Sequence, residues 1–246
     1  MMSAAAVIAA GATCGTLALS ATAAPLVTAG NPLGRLTADQ IAKKAATDLK
    51  AAASFHYHGS GKASGQIFSI SMSVTHKGCT GWFGDGRSGG FAIVAIAKTK
   101  TVWIQPNDKF WEHAGIPASE VPLVHGKWLK FTGTGSNSLS AAIAPLCNPN
   151  KLVSGLALQL TGLVKGKTIK ISGHRALQLR NGTGSESIYV SISSKPEILR
   201  ISDNGTLNFS AYGARVRLTP PPANDVITLP GTSVGARSLQ HLLRGI

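Results

Sequence analysis

The sequence predicts an α+β domain built on one strongly curved antiparallel sheet, a half-barrel of about ten or eleven strands. Three observations support this fold class. Short alternating strands follow one another from Ser54 to Thr219, one amphipathic helix precedes them, and a helical insertion interrupts them in the middle of the chain. An antiparallel sheet of this length has an apolar face that must be covered. Because few helices are available, the sheet is expected either to pack on a second sheet or to curl around a cavity, and we favour the second.

The N-terminus is small and apolar, and it predicts a signal peptide over residues 1–24. Ala4–Ala10 and Thr16–Leu19 form an apolar region, and Ala21-Thr22-Ala23 fits a signal-peptidase site. Ordinary secretion is the main interpretation. Lipidation of Cys14 is the alternative, although the residues before Cys14 match a bacterial lipobox poorly. We expect an exported protein, extracellular or in the cell envelope, and leave membrane anchoring open.

The rest of the chain is predicted to form one domain. Residues 25–35 are a linker, residues 36–229 the folded domain, and residues 230–246 a flexible C-terminal tail. Neither an internal repeat nor a long internal linker divides the folded part. We expect a monomer.

The helix is predicted over Ala38–Ala53. Thr37 is its N-cap and Gln40 completes a capping box. Apolar residues recur at helical spacing on one narrow face, at Ile41, Ala42, Ala45, Leu49 and Ala52. Such a face can approach a sheet closely without filling a deep concavity.

The first strands alternate clearly. Phe55 and Tyr57 alternate with His56 and His58, and we expect a turn at Gly59-Ser60-Gly61. From Gln66 to His76, one face carries Phe68, Ile70, Met72 and Val74, and the other carries serine and threonine.

Later segments are less regular. Pro106–Ala114 predicts a turn or short helix, Leu139–Leu146 a short helix, and Asn148–Leu160 a helix with Asn148 as its N-cap. Strands resume from Thr168, the last of them at Arg215–Thr219. Pro220-Pro221-Pro222 is expected to end the sheet, because proline lacks the N–H that a strand ladder needs.

Few sequence motifs indicate catalysis, cofactor binding or metal binding. Gly84, Gly86 and Gly89 match a dinucleotide fingerprint, but a strand follows them where that motif needs a helix. His56 and His58 share one strand face, yet no third metal ligand is evident. Neither a nucleophile elbow nor a persuasive carboxylate pair occurs. We therefore predict no catalytic residue, no metal and no cofactor.

Two cysteines remain in the exported part of the chain, Cys79 and Cys147. An even pair in an oxidising compartment predicts a disulfide, and two buried free thiols are the alternative.

The charge is strongly basic, with 24 Lys and Arg against 10 Asp and Glu, a net charge of +14. This balance favours anionic partners. The basic residues are scattered and a signal peptide is predicted, so we expect an envelope surface and exclude nucleic acid. One hypothesis is a non-catalytic basic β-domain that docks on anionic cell wall or membrane.

The order of motifs resembles the actinobacterial envelope lipoproteins of the LppX/LprG type, relatives of the LolA and LolB lipoprotein carriers. After the helix, the matching segments are Ser54-Phe55-His56-Tyr57, Lys77-Gly78-Cys79-Thr80-Gly81, Val102-Trp103-Ile104-Gln105-Pro106, Gly126-Lys127-Trp128-Leu129-Lys130 and Gly205-Thr206-Leu207-Asn208-Phe209-Ser210. The resemblance covers roughly Leu36 to Leu229. It implies a half-barrel with the N-terminal helix and the helical insertion across its concave side. The cavity of such a half-barrel holds an acylated lipid or lipoglycan for carriage across the envelope, without catalysis.

The residues support the same expectation, since a curled sheet lined by a narrow alanine-rich helix leaves apolar space. The predicted cavity wall consists of Phe68, Ile70, Met72, Val74, Leu207 and Phe209. A fully packed core made of the same residues is the alternative.

Overall fold

The computed structural model describes residues 31–63, 65–132, 143–157, 161–182, 186–203 and 205–228. The predicted signal peptide with Cys14, and the predicted C-terminal tail, lie outside these residues, as do residues 139–142 and 158–160 of the two predicted mid-chain helices.

The described elements follow the predicted order of one helix, a run of strands, a helical insertion and further strands. They are α1 (Ala38–Ala51), β1 (Ser54–Ala63), β2 (Gln66–Thr75), β3 (Gly78–Asp85), β4 (Gly89–Ile96), β5 (Thr101–Pro106), α2 (Asp108–His113), α3 (Val121–Val124), β6 (Trp128–Thr132), α4 (Pro149–Ala157), β7 (Val164–Ile171), β8 (His174–Arg180), β9 (Ser187–Ser191), β10 (Ile198–Ser202), β11 (Gly205–Ser210) and β12 (Val226–Thr228), with a 3₁₀ turn at Ala223–Asp225.

One curved sheet contains every strand of the described residues, in the order β12-β6-β5-β4-β3-β2-β1-β11-β10-β9-β8-β7. Adjacent strands are antiparallel except for β12, which pairs in parallel with β6. The sheet does not close, because β12 and β7 are its two free edges. The predicted half-barrel is therefore confirmed.

The C-terminal end of the sheet differs from the prediction. Residues 215–219 form no strand, and β12 lies beyond Pro220-Pro221-Pro222, where we expected the sheet to end. The prolines interrupt strand pairing locally, as proline must. The chain nevertheless continues from β11, inside the sheet, to the edge next to β6 and pairs there through the three residues of β12, which raises the strand count to twelve.

Helix α1 forms as its sequence predicts. The Thr37 hydroxyl accepts from the Gln40 backbone N–H at 3.2 Å, and the Gln40 side chain accepts from the Thr37 N–H at 2.8 Å. Its buried residues join one apolar core with side chains of the sheet. The helix contacts β7, β9, β10 and α4, while α2 contacts β4. We call the sheet face that these helices cover the inner face, and the opposite face the outer face.

The predicted turn at Gly59-Ser60-Gly61 is wrong, because β1 continues through these residues to Ala63. Both glycines lie on the inner face and allow close approach of neighbouring groups. A Cβ atom on Gly59 would overlap the Thr206 carbonyl of β11, and one on Gly61 would lie 2.8 Å from the Phe68 ring. Glycine inside a strand commonly marks such close approach rather than a turn.

Candidate functional site

The six predicted cavity residues share the inner face of three neighbouring strands, β2, β1 and β11. Strand pairing places Met72 beside Tyr57 and Tyr57 beside Phe209. In the next row, Ile70 and Leu207 flank Gly59. The structure therefore brings together on the inner face residues from two distant parts of the sequence: Phe68, Ile70, Met72, Val74, Leu207 and Phe209.

Large side chains occupy this central part of the inner face. Met72 and Val74 have no exposed surface, and Phe209 is 4% exposed. Phe55 and Tyr57 lie between them, and the Phe55 ring packs against the rings of Phe209 and Tyr212 at centroid distances of 6.2 Å. Phe68 and Leu207 are half-buried at the margin of the same core. Where the structure describes it, the centre is a packed aromatic and aliphatic core.

A covering segment, residues 143–150, lies over the inner face. The Tyr57 hydroxyl donates to the Leu146 carbonyl at 2.9 Å, and Ile143 is fully buried in the core. Burial raises the pKa of Tyr57 well above its usual value. The hydroxyl therefore stays protonated and keeps donating to the covering segment up to strongly alkaline pH.

The predicted disulfide between Cys79 and Cys147 is present and ties the covering segment to the sheet. Cys79 is a buried inner-face residue of β3, and the two Cα atoms are 5.1 Å apart across 68 residues of sequence. The covering segment is thus fixed to β1 by a hydrogen bond and to β3 by a covalent bond.

Beyond the disulfide, a pocket of about 440 Å³ opens between the covering segment and the end of the sheet. We call it the rim pocket. Its walls come from the β2–β3 turn, the end of β4, the β4–β5 turn and the covering segment. The lining residues are Thr75, His76, Gly78, Ala95, Ile96, Ala97, Lys100, Thr101, Val102, Ala144, Cys147, Asn148, Pro149 and Asn150.

None of the six predicted cavity residues lines the rim pocket. A sequence signal for the pocket does exist in β4. Inner-face residues of this strand shrink along the chain from Phe91 and Ile93 to Ala95, and Ala97 follows just beyond the strand. Apolar alternation marks both parts of the inner face equally, so alternation alone does not separate the filled centre from the open rim.

The polar groups of the rim pocket are basic or neutral. Lys100 and His76 are exposed and carry its titratable side chains. Lys100 has a φ of 49°, in the left-handed region, and its N–H donates to the Ala97 carbonyl at 3.2 Å. Asn148 caps α4 by accepting from the N–H of Asn150 at 2.9 Å. The pocket therefore combines apolar walls with positive charge at its lining.

His56 and His58 lie on the outer face, as the alternation predicts. Their rings stack at a centroid distance of 5.6 Å, and His56 Nδ1 lies 3.0 Å from the Ser73 hydroxyl. Burial, and to a smaller extent the neighbouring charge of His58, lower the pKa of His56. Among the described residues, no group of three or more His, Cys, Asp or Glu side chains could hold a metal ion.

Comparison with known proteins supports the fold. No protein-family model matches the sequence, and no curated protein matches it. The structure of LprF from Mycobacterium bovis is similar, with a TM-score of 0.50 and 12% identity over 75% of this chain and 96% of LprF.

Two further solved structures are less similar, and no conclusion is drawn from them. An uncharacterized conserved protein from Thermus thermophilus gives a TM-score of 0.36 at 12% identity over 78% of this chain and 99% of that protein. A DUF1329 family protein from Desulfovibrio piger gives 0.26 at 10% identity over 73% and 93%.

Across the described part of the chain, no helix is both long enough and apolar enough to span a membrane. The architecture is that of a curved, unclosed sheet with its helices on one side. The described part of the chain therefore shares the fold of LprF.

Proposed function

We propose that the protein binds an acylated lipid or lipoglycan by placing an acyl chain in the rim pocket. The observation that carries this proposal is the pocket itself, about 440 Å³ of space beside small apolar side chains on the helix-covered face of the sheet. This volume falls within the range of about 300–1,000 Å³ typical of small-molecule sites.

The chemistry of the pocket fits an amphiphile. Each buried methylene contributes about 0.8 kcal/mol, and this interaction does not depend on direction. Ala95, Ala97 and Ala144 supply apolar wall without filling the space. Lys100 and His76 then meet the polar end of the lipid, where a phosphate or carboxylate would find a cation.

The fold supports a carrier role rather than a catalytic one. The LppX/LprG resemblance implies carriage of acylated lipids across the envelope. On this basis we place the protein outside the cell or in the envelope, without enzymatic activity. The predicted wall at the sheet centre is replaced in this proposal by the rim pocket, because side chains fill the described part of that centre.

Native mass spectrometry after gentle purification, together with titration of a fluorescent fatty acid, tests the proposal. We expect co-purified lipid and saturable binding of the probe. Ala144→Leu should abolish binding because the larger side chain enters the pocket. Ala118→Leu is the matched control, since Ala118 is an exposed alanine away from the rim pocket.

A clean apo mass together with no binding of the fluorescent probe would contradict the proposal. Binding that Ala144→Leu leaves unchanged would place the lipid elsewhere in the protein.

Lys100→Asn tests the polar end of the lipid. Asparagine tolerates the left-handed backbone of this position, so the fold should persist. Anionic lipids should bind more weakly to this variant, whereas Lys98→Asn, on the same turn but outside the pocket lining, should not change binding.

A further inference from the structure

The outer face carries a continuous row of polar and aromatic side chains that runs across six strands. Strand pairing links Tyr189 to Arg200, Arg200 to Asn208, Asn208 to His58, His58 to Ser71, and Ser71 to Trp82. We call these six residues the outer row. With strands about 4.8 Å apart, the row is about 24 Å long, a length that several linked sugar rings occupy.

Trp82 forms one end of the outer row as a flat platform. Trp82 is 38% exposed. Two glycines, Gly84 and Gly90, lie beneath the ring. A Cβ atom on either would lie within 2.8 Å of the indole Cζ2 atom, so only glycine lets the ring lie this close to the sheet. One face of the ring is therefore held against the backbone and the other is available to a ligand.

Arg200 is held in place next to Tyr189, which forms the other end of the outer row. Its Nε atom donates to the Asn208 side-chain oxygen at 2.8 Å, and its guanidinium lies 6.0 Å from the centre of the Tyr189 ring. No carboxylate of the described residues forms an ion pair with Arg200. A guanidinium positioned in this way can bind a carboxylate through its terminal nitrogens.

The middle of the outer row provides further hydrogen-bonding groups. His58 is exposed, and Ser71 lies beside it on β2. The Ser71 hydroxyl is 3.4 Å from His56 Nε2, so His56 helps to hold its position. Imidazole, hydroxyl and amide groups on a rigid sheet can each hydrogen-bond a sugar hydroxyl.

The charge around the outer row is of one sign. The row and the rows on either side of it on these six strands contain the permanent charge of Arg200 but neither aspartate nor glutamate. The whole chain has a net charge of +14. An acidic ligand is therefore attracted to the outer row and meets no repelling carboxylate in these rows.

We propose that the outer row binds an acidic polysaccharide, whose sugar rings stack on Trp82 and whose carboxylate groups bind Arg200. Aromatic platforms joined by hydrogen-bonding side chains suit sugar rings, which present apolar C–H faces and equatorial hydroxyls. The site lies on the sheet face opposite the rim pocket, so it is independent of lipid binding. The protein would thereby be held on an acidic glycan while its inner face remains free.

The test uses polygalacturonate as the acidic probe and its fully methyl-esterified form as the uncharged control, with binding measured by isothermal titration calorimetry. We expect saturable binding to polygalacturonate only. Trp82→Ala should weaken it about two- to tenfold through loss of the stacking surface, and Trp82→Tyr should restore most of the affinity. Arg200→Gln should weaken it about tenfold.

Two matched variants control for charge and for apolar surface. Arg175→Gln removes one exposed positive charge outside the outer row, and Leu123→Ala removes an exposed apolar side chain on α3. Neither should change binding. Circular dichroism of each variant confirms that the fold is retained.

Polyglutamate separates glycan recognition from charge alone. If it binds as tightly as polygalacturonate and Trp82→Ala weakens neither, the proposal is wrong. Equal binding of the methyl-esterified polymer also overturns it, because recognition would then not require acidic groups. Retention of lipid by the Trp82→Ala variant is expected in every case, since the rim pocket is on the other face.

Discussion

The centre and the rim of the inner face belong to the same sheet and show the same alternation, yet in the described residues the centre is filled and a pocket opens at the rim. At the centre, β2 places Val74 beside Phe55. At the rim, β5 places Val102 beside Ala95. Both valines are buried, at 0% and 5% exposure, so apolar character does not distinguish the two regions.

Side-chain volume distinguishes them. Protein interiors pack to nearly crystalline density, and a region is filled when large side chains meet covering elements. Phe55 and Tyr57 fill the centre beneath the covering segment, whereas Ala95, Ala97 and Gly78 leave the rim open. A curved sheet therefore does not guarantee a cavity along its whole concave side. The position of the cavity depends on where its inner-face residues become small.

The largest expected effect comes from the disulfide, which is shared by both regions. Replacing Cys79 and Cys147 together by serine should lower the free energy of unfolding by about 4 kcal/mol, because the bond closes a loop of 68 residues. Urea denaturation of the double variant measures this value. A loss below about 1 kcal/mol would show that the covering segment is held mainly by its other contacts.

Val74 and Val102 provide a matched test of how tightly side chains pack at the centre and at the rim. Val74→Ala should cost about 2–3 kcal/mol, since it removes two methylene equivalents and leaves a cavity in packed surroundings. Val102→Ala should cost about 1 kcal/mol, because it enlarges space that is already open. Urea denaturation of both variants measures the difference. Equal losses would mean that the rim is as tightly packed as the centre.

The centre should also make the protein sensitive to base. Burial raises the pKa of Tyr57, and burial followed by the charge of Glu197 raises the pKa of Tyr212. Above about pH 10 the unfolded tyrosines lose a proton that the folded ones keep, so the native state binds more protons. The free energy of unfolding should then fall by up to about 1.4 kcal/mol per pH unit for each tyrosine.

Urea denaturation from pH 8 to pH 11 measures this slope. Tyr57→Phe and Tyr212→Phe should each make the slope shallower above pH 10 and leave it unchanged below pH 9. An identical alkaline slope in both variants and the natural protein would show that other groups cause the loss.

The smallest effect on stability is expected at the rim. Ala144→Leu, which should block the rim pocket, should change the free energy of unfolding by less than about 0.5 kcal/mol, because Ala144 is exposed. Urea denaturation of this variant beside Ala118→Leu provides the comparison. A large loss would indicate that Ala144 packs as a core residue.

Much of the fold could be predicted from local patterns. The capping box of Thr37 and Gln40 marks α1, and the strict alternation of Gln66–Thr75 marks β2 and its inner face. Gly59 and Gly61 misled the prediction, because glycine favours both turns and close strand contacts, and only the neighbouring strand distinguishes them. β12 was missed because three residues that pair with a distant strand have no period to detect.

The site was harder to predict than the fold. Alternation identified inner-face residues such as Met72 and Phe209, but it contains no information on what lies above them. The covering segment that fills this space comes from residues nearly 70 positions away, and its placement depends on Cys147 and on the Tyr57 hydroxyl. The outer row was missed for the same reason, since its six members are aligned only by strand register.

The open sheet leaves β7 and β12 as free edges, and each carries a feature that discourages another chain from adding a strand. β7 presents exposed Lys165, Lys167 and Lys170, and Lys165 also donates to the Gly34 carbonyl at 3.1 Å. β12 is only three residues long. Lysines and very short edge strands are known defences against edge-to-edge aggregation. The two edges of this long unclosed sheet are therefore poor templates for an added strand.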